Sequence, residues 1–159
     1  LKDEQGIIIS KVSTKHIPIS GGDVGGSEGF VVFKEQKQRE GESLGIATDE
    51  VAMLIQRYGS NVDIVFELYE MYKREAEEEK IQPVIFAILQ YSLQYELAYK
   101  PADFFIRRTG ALFFNYDWVK ESHNNIINYM AKTLEWTEEQ KATYEEELMT
   151  LLYEAIHFQ

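Results

Sequence analysis

Pro83-Val84-Ile85-Phe86-Ala87-Ile88-Leu89-Gln90-Tyr91-Ser92-Leu93-Gln94-Tyr95-Glu96-Leu97 is apolar on nearly every side when wound as a helix. Val84, Ile85, Phe86, Ile88, Leu89, Tyr91 and Leu93 leave no broad polar face, and a helix of that kind is wrapped by its neighbours. The stretch is therefore the expected central element of a helical fold, with Pro83 suited to its first turn.

The flanking segments read as amphipathic helices. Phe30 and Phe33 followed by a charged stretch suggest one helix, with Gly41 and Gly45 as stops. Thr48-Asp49-Glu50 opens a second, which carries Val51, Met53-Leu54-Ile55 and Tyr58 and ends at Gly59. Ser60-Asn61-Val62-Asp63 has the form of a capping box ahead of Val62, Val65, Phe66, Tyr69 and Tyr72. Beyond the central stretch, Asn115 or Asp117 can cap a helix holding Trp118, Val119, Ile126, Ile127, Met130 and Leu134. Thr137-Glu138-Glu139-Gln140 is a second capping box, opening a final helix striped by Tyr144, Leu148, Leu151, Leu152 and Ala155. The fold class is all-α: an irregular or orthogonal bundle of about six or seven helices. Residues 1–29 form a short extended linker with a Gly-rich turn, and residues 30–159 form the helical domain. No internal repeat or low-complexity tract emerges.

At 159 residues the chain is of single-domain size and buries a core without staples. It contains no cysteine, so disulfides, zinc-thiolate sites and thiol nucleophiles are excluded, and a reducing, cytoplasmic setting fits. Formal charge is −11, from 27 acidic and 16 basic residues. A surface of that sign repels phosphate backbones and anionic lipid, so nucleic acid is not an expected partner. The longest apolar run, Val84–Leu89, is far shorter than a transmembrane segment, and no signal peptide is recognisable. The chain opens at Leu1 instead of Met, which suggests a piece of something longer.

Gly21-Gly22-Asp23-Val24-Gly25-Gly26-Ser27 invites comparison with phosphate-binding loops. No three glycines fit the dinucleotide fingerprint, and Ser27 stands where the lysine of a P-loop belongs. A tight turn with positive φ angles ahead of a helix is the expected structure. The three histidines, His16, His123 and His157, lack metal-ligand spacing and read as surface or packing residues. Arg74-Glu75-Ala76-Glu77-Glu78-Glu79-Lys80 reads as the solvated end of a helix, without the glycine turn of a calcium loop. Glu70, Glu96 and Asp103 are open to pairing in space, but caps and ion pairs are their commoner use. Aromatics, at 13%, recur at helical spacing and are expected in the core. No catalytic, cofactor-binding or metal-binding residue is expected in this chain.

The chemistry concentrates in Pro101-Ala102-Asp103-Phe104-Phe105-Ile106-Arg107-Arg108-Thr109. A helix should begin at Pro101, with Asp103 favoured by the exposed N–H groups of its first turn. On α-helical geometry Phe104, Phe105 and Arg108 share a face, and Arg107 is rotated about 100° from Arg108. The two guanidiniums should therefore have different partners. A buried arginine needs a carboxylate, so Glu96, Asp103 or a group on another domain should pair with at least one. Arg107, Arg108, Glu96 and Asp103 are accordingly the candidate structural or interdomain residues, with Arg108 the inward member.

The same stretch, extended from Tyr95 to Phe114, resembles the C-terminal helical domain of FAD-dependent glycerol-3-phosphate dehydrogenases and α-glycerophosphate oxidases. Ile19-Ser20-Gly21-Gly22-Asp23-Val24-Gly25-Gly26 and Arg57-Tyr58-Gly59-Ser60-Asn61-Val62 are similar to the same domain in the same order. The resemblance implies an accessory domain of an enzyme that oxidises sn-glycerol 3-phosphate to dihydroxyacetone phosphate and passes electrons to quinone or oxygen. It implies a partner, the N-terminal FAD domain of the same polypeptide, with FAD held there and not in this chain. Such a module buttresses the flavin domain, shapes a substrate entrance or supports homo-oligomerisation, and the full-length enzyme either is free in the cytoplasm or sits peripherally on the membrane. The rival reading is a stand-alone acidic helical protein-interaction domain. A helical enzyme with a carboxylate-built metal site is a third, and needs acids clustered on facing helices.

Overall fold

The computed structural model describes residues 20–109 and 116–157. Six α-helices occur among them: α1 (Gly26–Ser43), α2 (Thr48–Tyr58), α3 (Val62–Glu78), α4 (Pro83–Tyr95), α5 (Tyr116–Thr133) and α6 (Glu138–His157). A 3-10 turn, Gly59–Asn61, precedes α3, and a π-helical turn, Asp103–Arg108, follows α4. No strand occurs among the described residues, so the all-α expectation holds. The expected extended segment before Ser20, the aromatic tail at Phe113-Phe114, the cap at Asn115, and the side chains of Trp118, Ala155, His16 and His157 lie outside the described residues and side chains.

The chain divides into two compact units, Leu1–Val62 and Asp63–Gln159. In the first, the glycine loop forms a turn, with Gly21 at φ 80°, Gly25 at 75° and Gly26 at 71°. Helix α1 is under way by Gly26, four residues ahead of the Phe30 start read from the sequence. Gly41 is not a stop: it is buried inside α1, which runs to Ser43. Termination falls at Gly45, in the left-handed region at φ 89°. There the Gly45 N–H donates to Glu42 O at 3.0 Å and the Ile46 N–H to Gly41 O at 3.3 Å, the paired bonds of a Schellman ending. Helix α2 buries Val51, Leu54, Ile55 and Tyr58, one stripe at three- and four-residue spacing.

The second unit is built around α4, where Val84 and every residue from Phe86 to Ser92 are buried. The Phe86 ring meets Tyr129 of α5 edge-on at 4.7 Å and Tyr72 of α3 at 6.2 Å. Losing that fully buried ring to alanine should cost about 3–5 kcal/mol. Two α4 side chains are buried and polar, and Gln90 is satisfied by donating to the Tyr129 hydroxyl. Tyr129 in turn donates to Glu75 Oε1 at 3.1 Å. Burial raises its phenol above the ordinary tyrosine value.

The acidic end of α3 is more than a solvated tail. Glu75 and Glu79 both reach α5, the latter through Lys132 at 2.9 Å, while Glu77 and Glu78 face solvent. No group of His, Asp or Glu able to hold a metal occurs among the described residues. Helix α3 ends without glycine: Lys80 takes φ 56°, and the Ile81 N–H donates to Ala76 O at 2.9 Å. The Thr137 capping box forms reciprocally, Thr137 N–H to Gln140 Oε1 at 2.9 Å and Gln140 N–H to Thr137 Oγ1 at 3.2 Å. His123 is a satisfied packing histidine, its Nδ1 3.2 Å from Val119 O. No helix is long and apolar enough to cross a membrane among the described residues.

Candidate functional site

Two glycine positions decide what the N-terminal loop does. The Ser60 N–H donates to Gly21 O at 3.0 Å, and Asn61 Nδ2 donates to Ser20 Oγ at 2.7 Å. A Cβ on Gly59, which sits at φ 53°, would run into the Gly21 carbonyl, and one on Gly21 would lie 2.7 Å from Tyr58 O. The loop is thus consumed in a backbone-on-backbone contact with the end of α2. What the contact takes up is the Gly21 carbonyl and the Ser20 hydroxyl, both acceptors here.

The Arg-Arg segment is the second site. After one α-helical step at Pro101-Ala102 the backbone widens, and the Thr109 N–H donates to Phe104 O, five residues back, at 2.9 Å. Such π turns recur at functional sites. The α-helical face argument therefore does not apply here, because each step turns less than in an α-helix. Phe104 and Phe105 are fully buried and stack edge-on at 5.2 Å. Asp103 caps the turn: its Oδ2 accepts from the N–H of Lys100 at 3.2 Å and of Tyr99 at 3.4 Å.

The four candidate residues form two pairs. Arg107 Nη1 donates to Asp103 Oδ1 at 2.8 Å, and the arginine side chain is 75% exposed. Arg108, 35% exposed, turns to Glu96. Its Nη2 donates to the Glu96 backbone carbonyl at 2.9 Å, and its Nε lies 3.5 Å from Glu96 Oε2, within ion-pair distance but not aligned as a hydrogen bond. Ser92 Oγ holds the same carboxylate oxygen at 3.2 Å. Arg108 thus grips both the carboxylate and the peptide that leads into Leu97. Glu70 takes no part in either pair among the described contacts and is exposed on α3.

Leu97 is the unusual member of that loop. It adopts φ 54° and is 84% exposed. A left-handed conformation costs a residue with a Cβ about 1–2 kcal/mol, and an exposed leucine recovers none of that by burial. The Ala98 N–H to Ser92 O bond, 2.9 Å, closes the loop behind it, and Ala98 itself is buried.

Tyr99, Lys100 and Glu147, which were not among the candidate residues, complete the surroundings. Tyr99, Lys100, Asp103, Ile106, Arg107 and Glu147 line most of a cleft of about 540 Å³. Lys100 Nζ donates to Glu147 Oε2 at 2.7 Å, and that hydrogen bond raises the lysine above its ordinary value. Lys100 also lies over the Tyr144 ring at 5.1 Å. Tyr99, Trp136 and Tyr144 form an edge-on aromatic cluster with Trp136 and Tyr144 at 4.9 Å. Lys100 and Glu147 are 47 positions apart, and no local pattern links them.

The chain is similar to known proteins over nearly its whole length. A family model described as the C-terminal domain of alpha-glycerophosphate oxidase matches residues 12–141. The chain is 40% identical over 156 residues to the aerobic glycerol-3-phosphate dehydrogenase of Bacillus subtilis, covering 98% of this chain and 28% of that protein. The corresponding Staphylococcus epidermidis enzyme is 41% identical over 155 residues, again across 28% of its length. Among solved structures, the glycerol-3-phosphate dehydrogenase of Bacillus halodurans, complexed with FAD, superposes with a TM-score of 0.81 at 40% identity, over 86% of this chain and 27% of that one. The chain therefore spans a little over a quarter of the relatives it matches, and it belongs to the family of alpha-glycerophosphate oxidase C-terminal domains.

Proposed function

We propose that this chain is the accessory C-terminal helical part of a longer FAD-dependent enzyme that oxidises sn-glycerol 3-phosphate to dihydroxyacetone phosphate. In this reading the helical domain, expected from residue 30, takes in the Ser20–Gly25 turn and the start of α1 at Gly26, the residues ahead of them are its linker, and turnover belongs to the flavin-carrying remainder. The observation that carries the reading is 40% identity over 98% of the chain to an aerobic glycerol-3-phosphate dehydrogenase, at 28% of that enzyme's length. The lack of a dinucleotide fingerprint among Gly21–Ser27 supports placing FAD elsewhere in the polypeptide. The enzyme works in the cytoplasm or at its membrane face, in keeping with a cysteine-free chain.

The test is to purify this chain and the full-length polypeptide side by side. The isolated chain should be colourless and should neither reduce a dye nor release peroxide with glycerol 3-phosphate. The full-length protein should be yellow and active. A stoichiometric flavin spectrum in the isolated chain after exhaustive dialysis, or a full-length protein without flavin, would overturn the assignment.

A further inference from the structure

We infer that the Tyr95–Tyr99 loop, braced by Arg108, is the surface on which the remainder of the same polypeptide docks. The inference rests on the proposed function in one respect: a remainder must exist. Leu97 is 84% exposed, Tyr95 55% and Tyr99 45%, so three large apolar side chains within five residues face solvent. They are not loosely placed. Arg108 holds the Glu96 carbonyl at 2.9 Å, Ser92 holds the Glu96 carboxylate and the Ala98 N–H, and the left-handed turn at Leu97 is fixed between them. Strained backbone persists where surrounding structure over-determines it, and such strain gathers at ligand clamps and functional surfaces.

Beside Tyr99 lies the cleft of about 540 Å³. Its lining carries the Arg107–Asp103 and Lys100–Glu147 pairs, two cations balanced by two carboxylates on a chain of formal charge −11. Exposed apolar side chains next to charge-balanced ion pairs match the make-up of a protein interface, in contrast to the uncompensated cations of a polyanion or lipid-headgroup site. Length selects the occupant. The chain amounts to 28% of its relatives' length, and a covalently tethered remainder is present at millimolar effective concentration, which outcompetes a second copy or a free partner.

The experiment uses the full-length polypeptide and follows limited proteolysis at its junction with this chain. Leu97→Asp and Leu97→Gly should each speed cleavage about tenfold, the change expected when one central contact is lost. Glycine suits a positive φ, so Leu97→Gly removes the side chain while keeping the turn, and its far-ultraviolet circular dichroism should match wild type. Unchanged cleavage in either variant would overturn the inference. So would a change in subunit count by sedimentation velocity at unchanged cleavage, which would assign the loop to a second copy. Loss of co-sedimentation with phosphatidylglycerol vesicles at unchanged cleavage would assign it to lipid and overturn it too. Flavin absorbance of the wild-type polypeptide separates the two readings: faster cleavage in a flavin-free protein would leave the docking surface standing and remove the proposed function.

Discussion

The glycine loop at the end of α2 and the arginine turn after α4 are both tertiary locks, made from opposite materials. In the first, Gly21 and Gly59 bring two backbones so close that neither tolerates a Cβ, and the Ser60 N–H to Gly21 O bond joins them. In the second, Arg108 spans the gap with a guanidinium that grips a carbonyl and a carboxylate. A backbone lock is short and intolerant of substitution. A side-chain lock reaches further, is partly wet, and degrades gradually.

That contrast fixes an order of effects. Gly59→Ala should be the most damaging, because it adds a steric clash with Gly21 to a positive φ, and a loss of about 3 kcal/mol is expected in denaturant melts. A loss below that of Arg108→Ala would erase the distinction between the two locks. Arg108→Ala should cost about 1.5 kcal/mol, the scale of a hydrogen bond to a charged group, reduced by the exposure of a third of the side chain. Arg107→Ala removes an i,i+4 pair with its arginine largely in solvent and should shift stability by less than about 0.5 kcal/mol. Equal melting temperatures for the two arginine variants would show that the π turn does not divide their roles.

The finest test is pH. Lys132 is raised above its ordinary value by its hydrogen bond to Glu79, and Lys100 by its bond to Glu147. A lysine with a raised folded-state value stabilises fully below its unfolded value and loses that contribution as pH climbs through the folded one. The wild type should therefore lose stability on the alkaline side of the ordinary lysine range. Lys132→Gln should flatten that loss without altering the slope at neutral pH, as read from urea midpoints across the alkaline range.

Much of this was visible in the chain itself. The all-round apolar stretch after Pro83 is a buried helix because a helix without a polar face has no other place to go. The Thr137 box and the Gly45 and Gly59 endings are local chemistry and formed where local chemistry places them. Gly41 misled because glycine marks helix ends only when the chain must turn left-handed, and here it sits buried in a continuing helix. Ser60 and Asn61 read as a capping box but are drawn into the 3-10 turn that meets the glycine loop. The π turn and the left-handed Leu97 were illegible, since a widened turn has no residue signature and leucine is a poor sign of positive φ. The Lys100–Glu147 pair was equally hidden, because it exists only once α6 folds back along the second unit.

Trp136, packed edge-on against Tyr99 and Tyr144, also gives the protein an internal light gauge. Tyrosine excitation at these ring separations drains into the indole, so the native fold should emit almost wholly as tryptophan from this corner. Loosening of α6, which carries Tyr144, should weaken the Tyr144 share of that transfer while the Tyr99–Trp136 pair keeps its own. Trp118→Phe would leave Trp136 as the sole indole, and the ratio of the two colours would then report how closely the ten tyrosines stay gathered around this corner.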